Sequence, residues 1–265
     1  MNHGGKPVRR RAVSAPAPKG VLAGDREPIF SFLSEEVRAN MLRQGSESAV
    51  LWNAFYPFAH RGISLRDWLS QRPLWGSAPQ AVEDDQLIPY FWGLHADGSP
   101  LEGLADTAWT IAGRDDRLEI DLLLLGSRHL VVVEAKVDGE AGRCGRYYAE
   151  RCPEVHGGGG TCRYWEDGPA AFDRLLDFGL RPEPHQEGRP SCATHYQLGR
   201  TLMAVQHLAG TKGLTPHLTL LIPRRRWPAQ EAGWLDFAER VRDDAQWRRL
   251  RVLAWEELAG LRRIA

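Results

Sequence analysis

The chain has 265 residues, is 43% hydrophobic, and balances 34 basic against 34 acidic side chains for a formal net charge of zero. That length and apolar content suffice for a substantial buried core, and no apolar run approaches the length of a membrane span. Neutrality argues against a protein that coats nucleic acid through a global basic field, so any polyanion would meet a local patch. Four cysteines in a chain this long suit a reducing compartment better than a disulfide scaffold. The basic N-terminus lacks the apolar stretch of a secretory signal, so a cytoplasmic location is expected.

Residues 1–27 are rich in Gly, Pro, Ala and Arg, include Arg9-Arg10-Arg11 and show no apolar periodicity. They are expected to be a disordered basic tail, either adding phosphate contacts or simply solvated, ahead of one domain over 28–265. From Pro28 to His60 the pattern is helical, broken at Gly45-Ser46. There Gly ends one helix and Ser46 caps the next, which begins at Glu47. Glu47, Val50, Leu51, Ala54 and Phe58 recur at helical spacing, so Glu47 stands at the edge of the inward face. Between Arg61 and Thr107, Trp68, Trp75 and Trp92 lie among Pro and Gly turns. Trp75 and Trp92 offer either base-stacking surfaces or, as favoured here, core filling. Ala108 to Ala112 is expected as the first strand.

The stretch from Leu118 to Val137, LEIDLLLLGSRHLVVVEAKV, reads as two buried strands joined by a tight hairpin. Asp121 interrupts the first apolar run, and Glu134 and Lys136 interrupt the second. Alternation puts Glu134 and Lys136 on one face. If Gly126 to His129 form a four-residue loop, Leu125 pairs with Leu130, Leu123 with Val132, and Asp121 falls opposite Glu134. A slip of one residue would reverse its face. In this register two carboxylates converge at roughly 5 Å between Cβ atoms, beside an ammonium. Two buried carboxylates repel, and a divalent cation such as Mg2+ resolves the repulsion. The plainer reading is a buried ion pair of Lys136 with Glu134 or Glu119.

Asp121, twelve intervening residues, then Glu134-Ala135-Lys136 closing an apolar strand resembles the PD-(D/E)xK nuclease superfamily. The resemblance implies a restriction-endonuclease-like α/β fold, a mixed central sheet flanked by helices, and metal-dependent phosphodiester cleavage. It implies that Asp121 and Glu134 ligate Mg2+ or Mn2+, that the Ala135 carbonyl adds a ligand, and that Lys136 orients the attacking water and offsets developing charge. Many members carry an acidic residue on a helix before the sheet; Glu47 matches that position, or is a first-turn residue favoured by the helix dipole.

After Lys136, residues 138–170 are an irregular insertion in which Arg143, Arg146, Arg151 and Arg163 accompany Tyr147, Tyr148 and Trp165. It also holds Cys144, Cys152 and Cys162, with Cys192 beyond it and His156, His185 and His195 nearby in sequence. A structural zinc on the four cysteines would suit a Gly-rich segment without its own core, although no gap has the short knuckle spacing and isolated thiols are the alternative. A helical run is expected near Ala170 to Phe178.

The stretch CATHYQLGRTLMAVQHLAG is a strong amphipathic helix ending at Gly210. It resembles the helix that follows the catalytic strands in several branches of the superfamily, where a Gln reaches the active site, and Gln197 matches. Arg200, one turn on, is a candidate phosphate contact. His217 to Pro223 reads as a further strand with Arg224-Arg225-Arg226 at its exit, where Arg224 and Arg225 either clamp a nucleic-acid backbone or are solvated. A helix from Ala229 to Gln246, a strand at Arg251 to Ala254 and a last helix close the chain. The sequence-level expectation is a Mg2+-dependent DNA nuclease. The alternatives are a non-catalytic nucleic-acid-binding relative and a zinc-dependent interaction module.

Overall fold

A computed structural model describes residues 22–24, 27–43, 45–61, 65–77, 86–113, 118–157, 159–184 and 186–262. The elements in chain order are α1 (Glu35–Met41), α2 (Glu47–Arg61), α3 (Arg66–Leu69), β1 (Ile88–Phe91), α4 (Leu104–Ala112), β2 (Leu122–Leu125), β3 (His129–Ala135), α5 (Gly145–Tyr148) and α6 (Pro153–His156). They continue with α7 (Ser191–Thr194), α8 (Tyr196–Lys212), β4 (Thr215–Ile222), α9 (Trp227–Glu239), α10 (Asp244–Trp247), β5 (Leu250–Ala254) and α11 (Trp255–Arg262). The protein is α/β, with a five-stranded mixed sheet in the order β1-β2-β3-β4-β5. The first three strands form an antiparallel meander; β3, β4 and β5 run parallel. Among the described residues no helix is long and apolar enough to cross a membrane.

Strand alternation divides the interior into two cores. Leu122, Leu124, Val131, Val133 and Ala135 point to the face covered by α1, α2 and α11, where Trp52, Phe55 and Trp68 are buried. Leu123, Leu130 and Val132 point to the other face, against Leu198, Leu202 and Val205 of α8 and Trp234 and Phe237 of α9. Both faces are covered, which is why the strands read as nearly continuous apolar runs. The hairpin register is the expected one: Leu125 opposes Leu130 and Leu123 opposes Val132.

Several boundaries differ from the sequence reading. Ala108 to Ala112 is the end of α4, not a strand; Gly103 and Gly113, both at positive φ, bracket a helix that buries Thr107 and Ile111 and leaves Trp109 exposed. The first strand is β1, an edge strand that tolerates Pro89 because one side of it needs no ladder bond. Near Ala170 to Phe178 the only helical piece is a 3-10 turn at Phe172–Arg174, since Leu176 leaves to bridge Val241. The helix expected over Ala229 to Gln246 starts earlier, at Trp227, and breaks after Glu239, with Asp243 capping α10 through the Gln246 N–H. Helix α8 runs past Gly210 to Lys212 and closes on left-handed Gly213. Most of the tail expected over residues 1–27 lies outside the described residues. Its end does not behave as a tail: Leu22 is buried and the Ala23 carbonyl accepts from the Trp52 indole at 2.6 Å. Trp75 and Trp92 pack against the two cores.

Candidate active site

Glu47 is the first residue of α2, where Ser46 caps the helix by accepting the Ala49 N–H at 3.2 Å. The cap and the left-handed Gly45 before it fix the helix start over the carboxyl end of β3. On the other face, α8 begins at Tyr196 and brings Gln197 and Thr201, one turn apart, toward the same strand.

The strand itself ends in an unusual pairing. Regular pairing of β2 with β3 stops at Leu122 opposite Val133. One step further, the Asp121 side chain replaces the missing ladder carbonyl: its Oδ2 accepts the Ala135 N–H at 2.9 Å. The opposite edge of β3 remains paired, with the Lys136 N–H donating to the Leu221 carbonyl at 2.8 Å. The N–H and C=O of one strand residue point to the same side, so the Ala135 carbonyl faces the gap beside Asp121.

Glu134 is fully buried. Its Oε2 accepts from the Gln197 amide at 2.7 Å and its Oε1 from the Thr201 hydroxyl at 2.6 Å. Lys136, one residue past the regular strand, turns its ammonium across the sheet end to Glu47 at 2.9 Å, with Asp121 at 3.9 Å. Glu47 also accepts the Val137 N–H at 3.3 Å. Alternation alone would have kept Lys136 beside Glu134 in the α8 layer; the end of the pleat at Ala135 lets it reach the α2 layer instead.

Three carboxylates therefore face one ammonium. Burial, the nearby Asp121 charge and then Glu47 push the Glu134 carboxyl up to about 8, against the favourable pull of Lys136 and Thr201. Burial raises Asp121 and Glu47 as well. Burial by itself would lower Lys136, but Asp121, Glu134 and Glu47 outweigh it, so its ammonium is held above the usual lysine range. Lys136 is thus a fixed cation here and not a base. The Asp121 and Glu134 carboxyls are close enough to shift each other's protonation.

Among the described residues no three His, Cys, Asp or Glu side chains are grouped so as to hold a metal ion. The oxygen set at the strand end consists of two carboxylates and one backbone carbonyl. Its hard donors and excess negative charge suit Mg2+ or Mn2+, which take few protein ligands and keep waters.

The structure brings together Glu47, Asp121, Glu134, Ala135, Lys136 and Gln197. The ion pair offered as the plainer reading involves neither Glu119 nor Glu134 directly; the partners of Lys136 are Glu47 and, at 3.9 Å, Asp121. Thr201 was missed, although a hydroxyl four residues after Gln197 on an apolar helix face is the signal that would have found it. Arg200 lies on α8 with its guanidinium 5.2 Å over the Tyr196 ring and bonded to the Tyr196 hydroxyl at 3.2 Å. Arg224 donates its backbone N–H to Glu256 and its guanidinium to Glu257. Arg225 is largely exposed, 3.9 Å from Asp138. Both arginines follow β4 and so lie at the same end of the sheet as Lys136. The four cysteines are free thiols. His156 accepts the Cys152 N–H at 3.3 Å and His195 pairs with Asp236, while His185 lies outside the described residues. Searches against family models, curated proteins and solved structures found no match for this chain.

Proposed function

We propose that the protein is a metal-dependent nuclease hydrolysing phosphodiester bonds of DNA at the carboxyl end of β3. The observation that carries this reading is the convergence of Glu47, Asp121, Glu134, Lys136 and Gln197, from three distant parts of the chain, on one strand end. A structural sheet gains nothing from such an arrangement, since burying three carboxylates around one lysine costs free energy that apolar residues would not.

Asp121, Glu134 and the Ala135 carbonyl are the groups that would hold the metal. Once bound, Mg2+ or Mn2+ supplies Lewis-acid polarisation of a phosphoryl oxygen and a water acidified for attack. Gln197 and Thr201 fix the Glu134 carboxylate through both of its oxygens, so its direction is set before substrate arrives. Lys136, held protonated, presents positive charge to the developing negative charge at phosphorus and a donor to the attacking water. Glu47 aims that ammonium. The substrate lies over the strand ends, the usual ligand position in open α/β sheets, with Arg225 near its path.

Incubation with supercoiled, linear and single-stranded DNA in Mg2+ or Mn2+, against a chelator control, tests the proposal. Cleavage that needs the metal and falls at least about 100-fold in Glu134→Ala is expected, the scale of losing a transition-state contact. Metal-independent cutting, or a fully active Glu134→Ala, would refute it.

A further inference from the structure

Residues 137–169 follow the candidate site with little to hold them. Among the described residues of this segment only Glu154 and Tyr164 are buried, and its regular structure amounts to α5, α6 and a 3-10 turn at Arg163–Trp165. Segments with so small a core need another source of stability. This one contributes three of the chain's four cysteines, and the fourth stands on α7 at the entry to α8.

Contacts draw the four to one place. The Cys144 N–H donates to the Ala193 carbonyl at 2.9 Å, beside Cys192. The Cys162 N–H donates to Glu154 at 2.7 Å, two residues from Cys152, and Arg181 clamps that carboxylate through two nitrogens at 2.6 and 2.9 Å. Cys162, Trp165 and Cys192 pack against the same hydrophobic core. Every pair among the four thiols lies within electrostatic range. Each of Cys144, Cys152 and Cys162 immediately precedes a short turn. None of these three sulfurs caps the turn that follows it.

We propose that Cys144, Cys152, Cys162 and Cys192 together bind a thiophilic metal centre, a zinc ion or an iron–sulfur cluster, that fastens the insertion to the start of α8. The side chains as they stand are not closed to ligating geometry. Gly157, Gly159 and Gly160 lie at positive φ between Cys152 and Cys162, with nothing within 4 Å of where a Cβ would stand. The spacing, with seven, nine and twenty-nine residues between successive cysteines, lacks a short knuckle because fold and not sequence proximity assembles the set. This centre is independent of the nuclease reading.

The test is metal analysis of the full-length protein, expressed with zinc and iron supplied and purified without oxygen, combined with thiol counting. About one zinc per chain without visible absorption, or iron with matching sulfide and visible charge-transfer absorption, supports the centre and tells its two forms apart. The four thiols should then resist an aromatic disulfide reagent until the metal is removed. Cys152→Ser and Cys162→Ser should each lower metal content at least about tenfold. Folded wild type with less than about a tenth of an equivalent of metal and four freely reacting thiols would overturn the proposal, as would metal content unchanged in both variants. If the variants fail to fold, the wild-type metal and thiol counts decide.

Discussion

Glu134 is buried and satisfied through both oxygens yet lies near Asp121 at the strand end, and its proton is held more tightly folded than unfolded. For the metal-free protein the sign follows directly. Glu134 is a carboxyl raised from 4.5 to about 8, so its contribution to stability is fully present below about 4.5 and is lost as pH rises through about 8. Melting in chelator should show Tm falling between pH 5 and 9. Glu134→Gln should flatten that fall, and an unchanged slope in the variant would contradict the assignment. At neutral pH the Asp121–Glu134 pair retains a proton, so binding Mg2+ or Mn2+ should release about one proton, read from the dependence of calorimetric enthalpy on buffer ionisation. Thr201→Val removes a buried donor to a carboxylate without changing volume, and should cost about 1–3 kcal/mol in denaturant titrations above pH 8.

At the scale of elements, α8 and the start of the insertion lock each other. The Gln197 N–H donates to the Gly142 carbonyl at 3.0 Å, and the Gly142 N–H returns to the Gln197 side-chain oxygen. A Cβ on Gly142 would lie 2.8 Å from that oxygen, so Gly142→Ala should displace Gln197 from Glu134. Cleavage should fall by about 10- to 100-fold with metal affinity nearly retained; wild-type cleavage by this variant would show that Gln197 is not positioned this way. The hairpin was legible because a four-residue loop over Gly126 to His129 sets Leu125 opposite Leu130, and the facing of Asp121 and Glu134 follows from that register. Glu47 was legible from its cap. Thr201 was not, because one hydroxyl on an apolar helix looks neutral until its partner strand is known. Ala108–Ala112 was misread because five apolar or β-branched residues fit either period, and the deciding signals were the flanking glycines at positive φ.

For the whole molecule, the site joins residue 47, residues 121–136 and residue 197 at one end of the sheet, where the parallel strands β3, β4 and β5 end. That α/β layering was readable from apolar periodicity. The packing of Leu22 and Ala23 on α2 was not, since a short Gly-flanked apolar step carries no period. With a net charge of zero, the proposed DNA binding would rest on local contacts. Arg225→Ala should reduce the slope of log affinity against log salt by about one in binding titrations, whereas Arg224, committed to Glu256 and Glu257, should matter mainly for stability.

The most direct test of the central claim is plasmid cleavage and metal binding read side by side for wild type, Asp121→Asn and Lys136→Ala, each checked for cooperative melting. The wild type should bind Mg2+ or Mn2+ and cut. Asp121→Asn should lose both properties, and Lys136→Ala should keep metal while losing cleavage. A wild type that binds metal but cuts neither single- nor double-stranded DNA, or a Lys136→Ala variant that cuts at the wild-type rate, would contradict the account.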